Sequence, residues 1–272
     1  MLQDIQPKVY DNAFRQKTPD ENSRIMFIRD GALLYRESEK GISFPAYGEI
    51  QPADGKYTYL FSIDGTKYFL AAAVEPQCGY DYLKLYEFRH KKPKHRAFAA
   101  AAAGQLYRWY TCNRFCGRCG REMQPDTKER MMRCARCGNM VYPKISPAVI
   151  VGVTNGDKLL MTKYAGAKKY ALIAGFAEIG ETFEETVMRE VMEEAGLKVK
   201  NIRYYKSQPW PFSDSLLMGF FCEVDGSDDI VMDAEELSEA VWVRREDIGV
   251  EWDDVSLTNE MIVYFRRGMQ GF

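Results

Sequence analysis

The chain has 272 residues, of which 46% are hydrophobic and 28% are charged, and its net charge is −2. This size and composition are typical of a soluble globular protein with two domains, and the charge excludes binding to nucleic acid or membranes through a general basic surface. The sequence has no apolar run near the roughly 20 residues needed to cross a bilayer, so no membrane partner is expected.

Residues 1–96 are predicted to form an N-terminal domain that consists mostly of β-strands. The segment YTYLFSIDGTKYFLAAA (57–73) alternates and turns at the Asp-Gly pair 64–65, which is a hairpin signal. The segment RIMFIRDGALLYRE (24–37) repeats this pattern at the Asp-Gly pair 30–31.

A basic run and a helix follow this domain. The run RHKKPKHR (89–96) is interpreted as a solvated connector, with a role in holding phosphate as the alternative. The alanine-rich segment AFAAAAAGQLYRWYTCN predicts a connecting helix over residues 97–111.

Four of the seven cysteines form one cluster within residues 112–142. They are spaced C-x₂-C-x₁₄-C-x₂-C, which is close to the spacing of a Cys₄ zinc site: Cys116, Cys119, Cys134 and Cys137. We predict a zinc ribbon that binds one structural Zn²⁺ per chain, because four sulfur ligands leave the metal no open position. A ribbon that binds nucleic acid is disfavoured, because the intervening REMQPDTKERMMR balances its basic residues with acids.

The remaining cysteines indicate the cellular compartment. Cys78, Cys112 and Cys222 are scattered, and the odd total does not form a disulfide framework. The first residues, MLQDIQPKVYDN, lack the apolar core of a signal peptide. We therefore expect a protein of the reducing cytoplasm.

Residues 143–272 are predicted to form an α+β domain. The segment PAVIVGVTNGDKLLMTKY is a hairpin that turns at Asn155-Gly156, SLLMGFFCEV and AVWVRREDI are further strands, and LTNEMIVYFRRGM is a final helix. Strands on both sides of one long helix predict an α/β/α sandwich with a mixed sheet. Its strand–turn–strand opening resembles that of the N-terminal domain, which hints at an old duplication.

The segment GETFEETVMREVMEEAG (180–196) is predicted to be a helix. Thr182 and Glu185 form a capping-box pattern, and Gly196 suits the left-handed residue that ends a helix. The segment holds six carboxylates, one arginine and no lysine. Three of the carboxylates fan over an arc of roughly 100° beside the apolar stripe: Glu190, Glu193 and Glu194. Their mutual repulsion predicts a divalent cation, because Mg²⁺ and Mn²⁺ prefer carboxylate oxygens.

This helix and the loop before it resemble the Nudix hydrolase superfamily. From Gly175 the sequence matches the Nudix box, G-x₅-E-x₇-R-E-U-x-E-E-x-G-U, at all nine specified positions: Gly175, Glu181, Arg189, Glu190, Val191, Glu193, Glu194, Gly196 and Leu197. The resemblance implies a hydrolase that acts on a nucleoside diphosphate linked to another group. A Nudix α/β/α sandwich is therefore expected after the zinc ribbon.

The resemblance also implies roles for the box residues. Mg²⁺ or Mn²⁺ would be held by the Ala174 carbonyl and by carboxylates of Glu190, Glu193, Glu194 and Glu236. Glu193 would be a further ligand or the base that activates water, and Arg189 would pair with Glu181 to fix the carboxylates. Glu236 aligns with a late metal-binding glutamate, although its neighbour Glu235 leaves the register open by one residue.

Other motifs resemble the NADH pyrophosphatase subfamily, also called NAD diphosphatases. SQPWPFSDSLL (207–217) resembles the signature SQPWPFPxS, with Ser213 where the subfamily has proline, and YPKISPAVI resembles YPRxxPAxI, with Lys144 in place of arginine. The resemblance covers residues 107–245, and the N-terminal domain matches only in outline, as a degenerate Nudix-like domain. It implies a homodimer that hydrolyses NAD(H) to nicotinamide mononucleotide and AMP and also removes NAD caps from RNA 5′ ends.

The resemblance assigns substrate contacts to eleven positions: Glu129, Tyr142, Phe176, Gln208, Pro209, Trp210, Pro211, Phe212, Ser213, Asp214 and Ser215. Pro209 and Pro211 would stiffen the loop so that Trp210 and Phe212 stack on a nicotinamide or adenine ring. The alternative is a proline-pinned hydrophobic plug that covers the core. Phe176 would be the other wall of the ring pocket, or else a core phenylalanine.

Two further functions stay open from the sequence. One is hydrolysis of ADP-ribose or another nucleoside diphosphate. The other is a zinc-ribbon module that senses a ligand or binds nucleic acid; a sensor is expected to lose box glutamates, and this sequence keeps all of them.

Overall fold

The computed structural model describes residues 1–167 and 169–269. The chain divides into two compact units. The N-terminal unit contains Leu2–Lys144 and the short segment Pro211–Asp214, and the C-terminal unit contains Met1, Ile145–Trp210 and the described residues from Ser215 onward. Among the described residues, no helix has the length and apolarity required of a membrane span.

The N-terminal unit is built on a seven-stranded sheet. Its strands are β1 (Tyr10–Asp11), β2 (Arg24–Arg29), β3 (Ala32–Ser38), β4 (Gly41–Ser43), β5 (Thr58–Ile63), β6 (Thr66–Ala71) and β7 (Asp81–Lys84). Their order is β1-β5-β6-β2-β3-β4, with β7 beside β3, and β2 and β6 run parallel. Both predicted hairpins are confirmed, because Asp30-Gly31 and Asp64-Gly65 each have positive φ at both residues, as a two-residue turn requires.

A 3₁₀ helix, Leu85–His90, precedes the long helix α1, Lys94–Cys112. The predicted helix is confirmed, and it is also a core element, because the seven residues 97–103 are all buried. A side chain at Gly104 would meet Leu85 at 2.7 Å, so this glycine lets the 3₁₀ helix pack closely against α1. The alanine run therefore serves close packing within the N-terminal unit.

A small three-stranded antiparallel sheet follows α1. Its strands are β8 (Gln124–Pro125), β9 (Met132–Arg133) and β10 (Met140–Val141), in the order β10-β9-β8. The four clustered cysteines flank these strands, which gives the ribbon that their spacing predicted.

The C-terminal unit is a mixed sheet between helices. Its elements are β11 (Ser146–Asn155), β12 (Lys158–Tyr164), β13 (Ile173–Phe176), α2 (Phe183–Ala195), β14 (Val199–Trp210), β15 (Ser215–Val224), β16 (Leu237–Arg244) and α3 (Leu257–Arg266). The order is β14-β15-β11-β12-β16, with β13 beside β11, and β11 and β15 run parallel. The first hairpin turns at Gly156-Asp157, one residue later than predicted.

Strand alternation separates the two faces of this sheet. Val149 and Val151 of β11 pack with helix α2, whereas Ile150 packs with α3. The predicted α/β/α sandwich with a mixed sheet is confirmed, and α2 carries the acidic segment along one of its faces.

Candidate active site

Helix α2 begins and ends as predicted. The Thr182 hydroxyl accepts a hydrogen bond from the Glu185 N–H group, and the Glu185 carboxylate accepts one from the Thr182 N–H group, which completes the capping box. The helix ends at Gly196, whose φ of 68° is left-handed. Val187 and Val191 face the core of the unit, and this orientation fixes where the neighbouring carboxylates point.

Two box carboxylates lie buried beside this apolar stripe. Glu194 is 1% exposed and Glu190 is 9% exposed. Burial raises the pKa of Glu194, and with the added effect of the charge on Glu190 the pKa is about 7. Burial also raises the pKa of Glu190, although its pairing with Arg189 opposes this. A cation at this site would relieve the unfavourable burial of like charges.

Tyr164, at the end of β12, connects the buried carboxylate to the preceding loop. Its hydroxyl lies 3.3 Å from each carboxylate oxygen of Glu194 and accepts a hydrogen bond of 3.1 Å from the Ala174 N–H group. Sequence analysis missed this residue. The available signal was strand alternation, because Leu160 of the same strand packs on the side of α2.

Arg189 fixes the carboxylates around it. Its guanidinium forms a bidentate pair with Glu181 at 2.6 and 3.0 Å, and it contacts Glu190 at 2.7 Å and Glu193 at 3.0 Å. It also donates to the Phe176 carbonyl at 2.9 Å. The pairing lowers the pKa of the Glu181 carboxylate to about 2, so this carboxylate stays ionised.

Gly175 makes room for one of these carboxylates. A Cβ atom at this position would lie 1.8 Å from the Glu190 carboxyl carbon, closer than any real contact. Gly175 pairs with Val149 in the antiparallel ladder of β13 and β11, so the backbone cannot easily move away. Any larger residue at 175 would therefore displace the Glu190 carboxylate from the position that it occupies here.

The remaining predicted cation ligands are more exposed. The Glu193 side chain is 59% exposed, and Glu236, just before β16, is also exposed. The charge of Glu236 raises the pKa of both Glu190 and Glu194. This favours Glu236 over Glu235 as the late glutamate of the cluster.

The carboxylate cluster suits a hard divalent cation by its chemistry. It combines several mutually repelling carboxylates, two of them buried, with a single guanidinium and a backbone carbonyl at Ala174. Oxygen donors of this kind are what Mg²⁺ and Mn²⁺ prefer. Among the residues that the structure describes, however, the only set of three or more metal-ligating groups within 4.8 Å of one another is the four cysteines.

Those cysteines fit a structural zinc ion. Cys116 and Cys137 lie 3.6 Å apart, and Cys119 and Cys134 lie 3.5 Å apart, measured between Sγ atoms. Backbone N–H groups of residues 118 and 119 lower the pKa of the Cys116 thiol against the opposing effect of its burial, and those of residues 137 and 136 lower the pKa of the Cys134 thiol. Each knuckle closes at a glycine with a φ above 70°, Gly120 and Gly138. All four ligand positions are sulfur, as a structural site requires.

The predicted substrate loop has more than one role. Gln208 is fully buried, and its amide donates to the Val255 carbonyl and accepts from the Leu257 N–H group. Its side chain therefore holds the start of α3, and its assignment as a substrate contact is corrected. Ser215, also buried, pairs with the half-buried Trp210 across the β14–β15 hairpin.

The tip of this loop belongs to the N-terminal unit. Phe212 packs against the core of that unit and meets Tyr86 edge-on, with ring centroids 5.2 Å apart. Arg108, which sequence analysis also missed, binds the Pro211 carbonyl and forms an ion pair of 2.5 Å with Asp214. For Phe212 this packing favours the plug interpretation, and stacking on a substrate ring stays a prediction.

The exposed members of the predicted contact set remain available to a ligand. Phe176 is 53% exposed, so it is not a core residue. In the N-terminal unit, Tyr142 is 52% exposed and its hydroxyl donates to Glu129 at 2.7 Å. Pro209 and Ser213 are also exposed.

Comparison with protein families identifies two segments of the chain. Residues 144–264 match the NUDIX domain, and residues 113–142 match the NADH pyrophosphatase zinc ribbon domain. The chain therefore contains a NUDIX domain preceded by this zinc ribbon, and the resemblance inferred from the motifs is confirmed over both segments.

Curated relatives match a little over half of the chain. The sequence is 46% identical over 156 residues to the NAD-capped RNA hydrolase NudC of Escherichia fergusonii, and 46% identical over 154 residues to that of Shigella flexneri. Each match covers 56% of this chain and 60% of the relative, which is less than two thirds of its length. A NUDIX hydrolase structure from Nitrosomonas europaea is 25% identical with a TM-score of 0.48, over 58% of this chain and 93% of that one.

Proposed function

We propose that this chain hydrolyses the pyrophosphate bond of NAD(H) and releases nicotinamide mononucleotide and AMP. The observation that carries the proposal is the pair of buried carboxylates, Glu190 and Glu194, which Arg189 and Tyr164 hold on the Nudix helix. The zinc ribbon and the relatives named NAD-capped RNA hydrolase support NAD as the substrate class, and removal of NAD caps from RNA as a second activity.

The catalytic cofactor is proposed to be Mg²⁺ or Mn²⁺. Its ligands would be the Ala174 carbonyl and the carboxylates of Glu190 and Glu194, with Glu193 and Glu236 as further ligands. When bound, the cation would offset negative charge on the pyrophosphate oxygens. Zn²⁺ would stay in the ribbon, where it has no open position for substrate.

The other residues of the site would orient groups and move a proton. Arg189 keeps Glu190 and Glu193 in fixed directions, and the Tyr164 hydroxyl stabilises the buried Glu194 carboxylate by hydrogen bonding. Glu193 is the most solvent-accessible of the three box carboxylates on the last turns of α2, which suits acceptance of a proton from the attacking water. Trp210 and Phe176 are the aromatic side chains proposed to stack on a ring of the substrate.

A substrate panel tests the proposal. Purified full-length protein is incubated with NADH, NAD⁺, NAD-capped RNA and ADP-ribose, with Mg²⁺ and Mn²⁺ in separate series, and release of AMP or of 5′-monophosphate RNA is measured. We expect cleavage of NADH, NAD⁺ or the capped RNA to exceed that of ADP-ribose. Faster cleavage of ADP-ribose would replace the proposal with the alternative Nudix activity.

The domain boundaries, the cellular compartment and the oligomeric state of the protein are proposals as well. We infer a cytoplasmic homodimer from the resemblance, and sedimentation analysis of the purified protein tests the dimer. The boundaries proposed are an N-terminal Nudix-like domain that lacks the catalytic helix (1–96), helix 97–111, the ribbon (112–142) and the Nudix domain (143–272). Support for the first is that its sheet contains the strand order β5-β6-β2-β3, with β6 and β2 parallel.

A further inference from the structure

The N-terminal unit contains a small cavity at the first turn of helix α1. Its volume is about 90 Å³. Charged and polar side chains make up much of its lining, namely Lys8, Arg24, Asp64, Tyr68, His95 and Arg96. None of these residues belongs to the carboxylate cluster or to the zinc ribbon.

Two of the cations that line the cavity have no counter-ion. Lys8 is paired with Asp64 at 2.7 Å. Arg96 donates to the Ile42 carbonyl at 2.7 Å, and Arg24 donates only to backbone carbonyls, and neither guanidinium meets a carboxylate among the described residues. The lining therefore carries uncompensated positive charge.

Tyr68 supplies an independent observation. Its side chain is 3% exposed and lines the cavity, and its phenol lies close enough to Arg24 and Arg96 for their charges to act on it. Within the described part of the chain its hydroxyl has no hydrogen bond partner. The residue is buried but lines the cavity, so its hydroxyl can donate a hydrogen bond to a ligand that enters there.

The N-terminus of helix α1 also attracts anions. The helix begins at Lys94, and no side chain caps its first turn. Its first backbone N–H groups carry partial positive charge, and His95 lies in this same turn. The N-terminus of α1, two guanidinium groups that meet no carboxylate in the described part of the chain and the Tyr68 hydroxyl therefore lie at one cavity.

We propose that this cavity is a binding site for a single phosphate group. A volume of about 90 Å³ admits one tetrahedral oxyanion, whereas a site for a whole nucleotide needs about 300 Å³ or more. The ligand is therefore inorganic phosphate or the phosphate of a phosphomonoester whose remainder stays outside. This site is separate from the proposed catalytic cluster and does not depend on its activity.

The two histidines of the chain provide the test, because only His95 lines the cavity. Burial and the charges of Lys8 and Arg96 lower the pKa of His95, against the smaller opposing effect of Asp64. Full-length protein without added metal is titrated with inorganic phosphate, or with AMP, while the imidazole signals are followed by NMR. We expect the His95 signal to shift and its pKa to rise, with His90 unchanged.

Matched tyrosine variants locate the effect. Tyr68→Phe should weaken phosphate binding roughly tenfold, since it removes one hydrogen bond to a charged group. Tyr59→Phe is the control, because Tyr59 is another buried tyrosine whose hydroxyl has no partner among the described residues, but it does not line the cavity. Arg24→Gln, measured by calorimetry, gives a second variant should Tyr68→Phe fail to fold, and it should also bind about tenfold more weakly.

Each outcome decides the proposal. A response to phosphate alone identifies the inorganic ion as the ligand, and a stronger response to AMP identifies a phosphomonoester. If neither ligand shifts His95, if His90 shifts equally, or if Tyr68→Phe and Arg24→Gln bind phosphate as the parent does, the site does not exist.

Discussion

The two sheets of this protein share an arrangement of four strands. In the C-terminal unit the order β14-β15-β11-β12 joins two antiparallel hairpins through the parallel pair β15 and β11. In the N-terminal unit the order β5-β6-β2-β3 joins two antiparallel hairpins through the parallel pair β6 and β2. The same connectivity therefore occurs twice in one chain.

The connection between the hairpins is what differs. In the C-terminal unit it contains helix α2 with its carboxylates, whereas residues 44–57 of the N-terminal unit, all of them described, contain no helix. Only the first arrangement has a candidate catalytic cluster. The comparison shows that the sheet is a scaffold and that the chemistry depends on the segment inserted into it.

The largest expected effect concerns stability in the N-terminal unit. Cys134→Ser removes one of four sulfur ligands, and loss of zinc should unfold the ribbon, because binding of a structural zinc ion contributes on the order of 10 kcal/mol to folding. Zinc analysis of desalted protein and the thermal midpoint measure this, with the exposed Cys112→Ser as the control. Equal behaviour of the two variants, or well-folded parent protein without zinc, contradicts the assignment.

The next effect concerns rate in the C-terminal unit. Glu194→Gln keeps the side-chain shape but removes a buried charge, and we expect at least about a 10²-fold loss in rate with little change in folding. Glu184→Gln, on the exposed side of the same helix, is the control and should keep full activity. A Glu194→Gln protein with the parent's rate and metal dependence would show that the cluster is not catalytic.

A third experiment separates two aromatic residues of one loop. Trp210→Ala should lower kcat/KM for NADH and NAD⁺ roughly 5- to 150-fold if it stacks the nicotinamide, with a smaller change for ADP-ribose, which lacks that ring. Phe212→Ala is the matched variant, and because the partly buried Phe212 packs against the core of the N-terminal unit it should lower the thermal midpoint instead. Equal losses on all substrates for Trp210→Ala would remove the stacking role.

The smallest effect is a pH dependence of stability. The Arg189 pairing lowers the pKa of Glu181 from 4.5 to about 2, so it stabilises the folded state above pH 4.5 and less so as pH falls towards 2. Glu181→Gln should therefore be less stable than the parent at neutral pH, and the difference should shrink across that window. Urea denaturation at several pH values measures it. A difference that does not vary with pH would mean that the ion pair is not its source.

Local rules explain what the sequence predicted. Some features depend only on neighbouring residues: the capping box at Thr182, the left-handed Gly196 and the Asp-Gly turns. The four cysteines could be predicted as one site because their spacing in the sequence is typical of a zinc ribbon. The α/β/α sandwich followed from the order of strands and helices.

Long-range packing explains what it missed or misassigned. Tyr164 reaches Glu194 across 30 positions, and Arg108 reaches Asp214 across 106. Strand alternation gives the face on which Tyr164 lies, but no local pattern gives the partner of either residue. Gln208 belongs to a matching motif, yet its amide is used inside the core. The helix over 94–112 looked like a connector because alanine suits both a solvated helix and a closely packed one.

The contact between Gly175 and Glu190 restricts the order in which the two positions can change. A methyl group at 175 would overlap the carboxyl carbon of Glu190, at 1.8 Å, as long as that side chain keeps its position among the other carboxylates. Once residue 190 is shortened to alanine, the overlap disappears, and alanine at 175 becomes sterically acceptable. A lineage that no longer uses the Glu190 carboxylate would therefore be expected to replace the glutamate before the glycine.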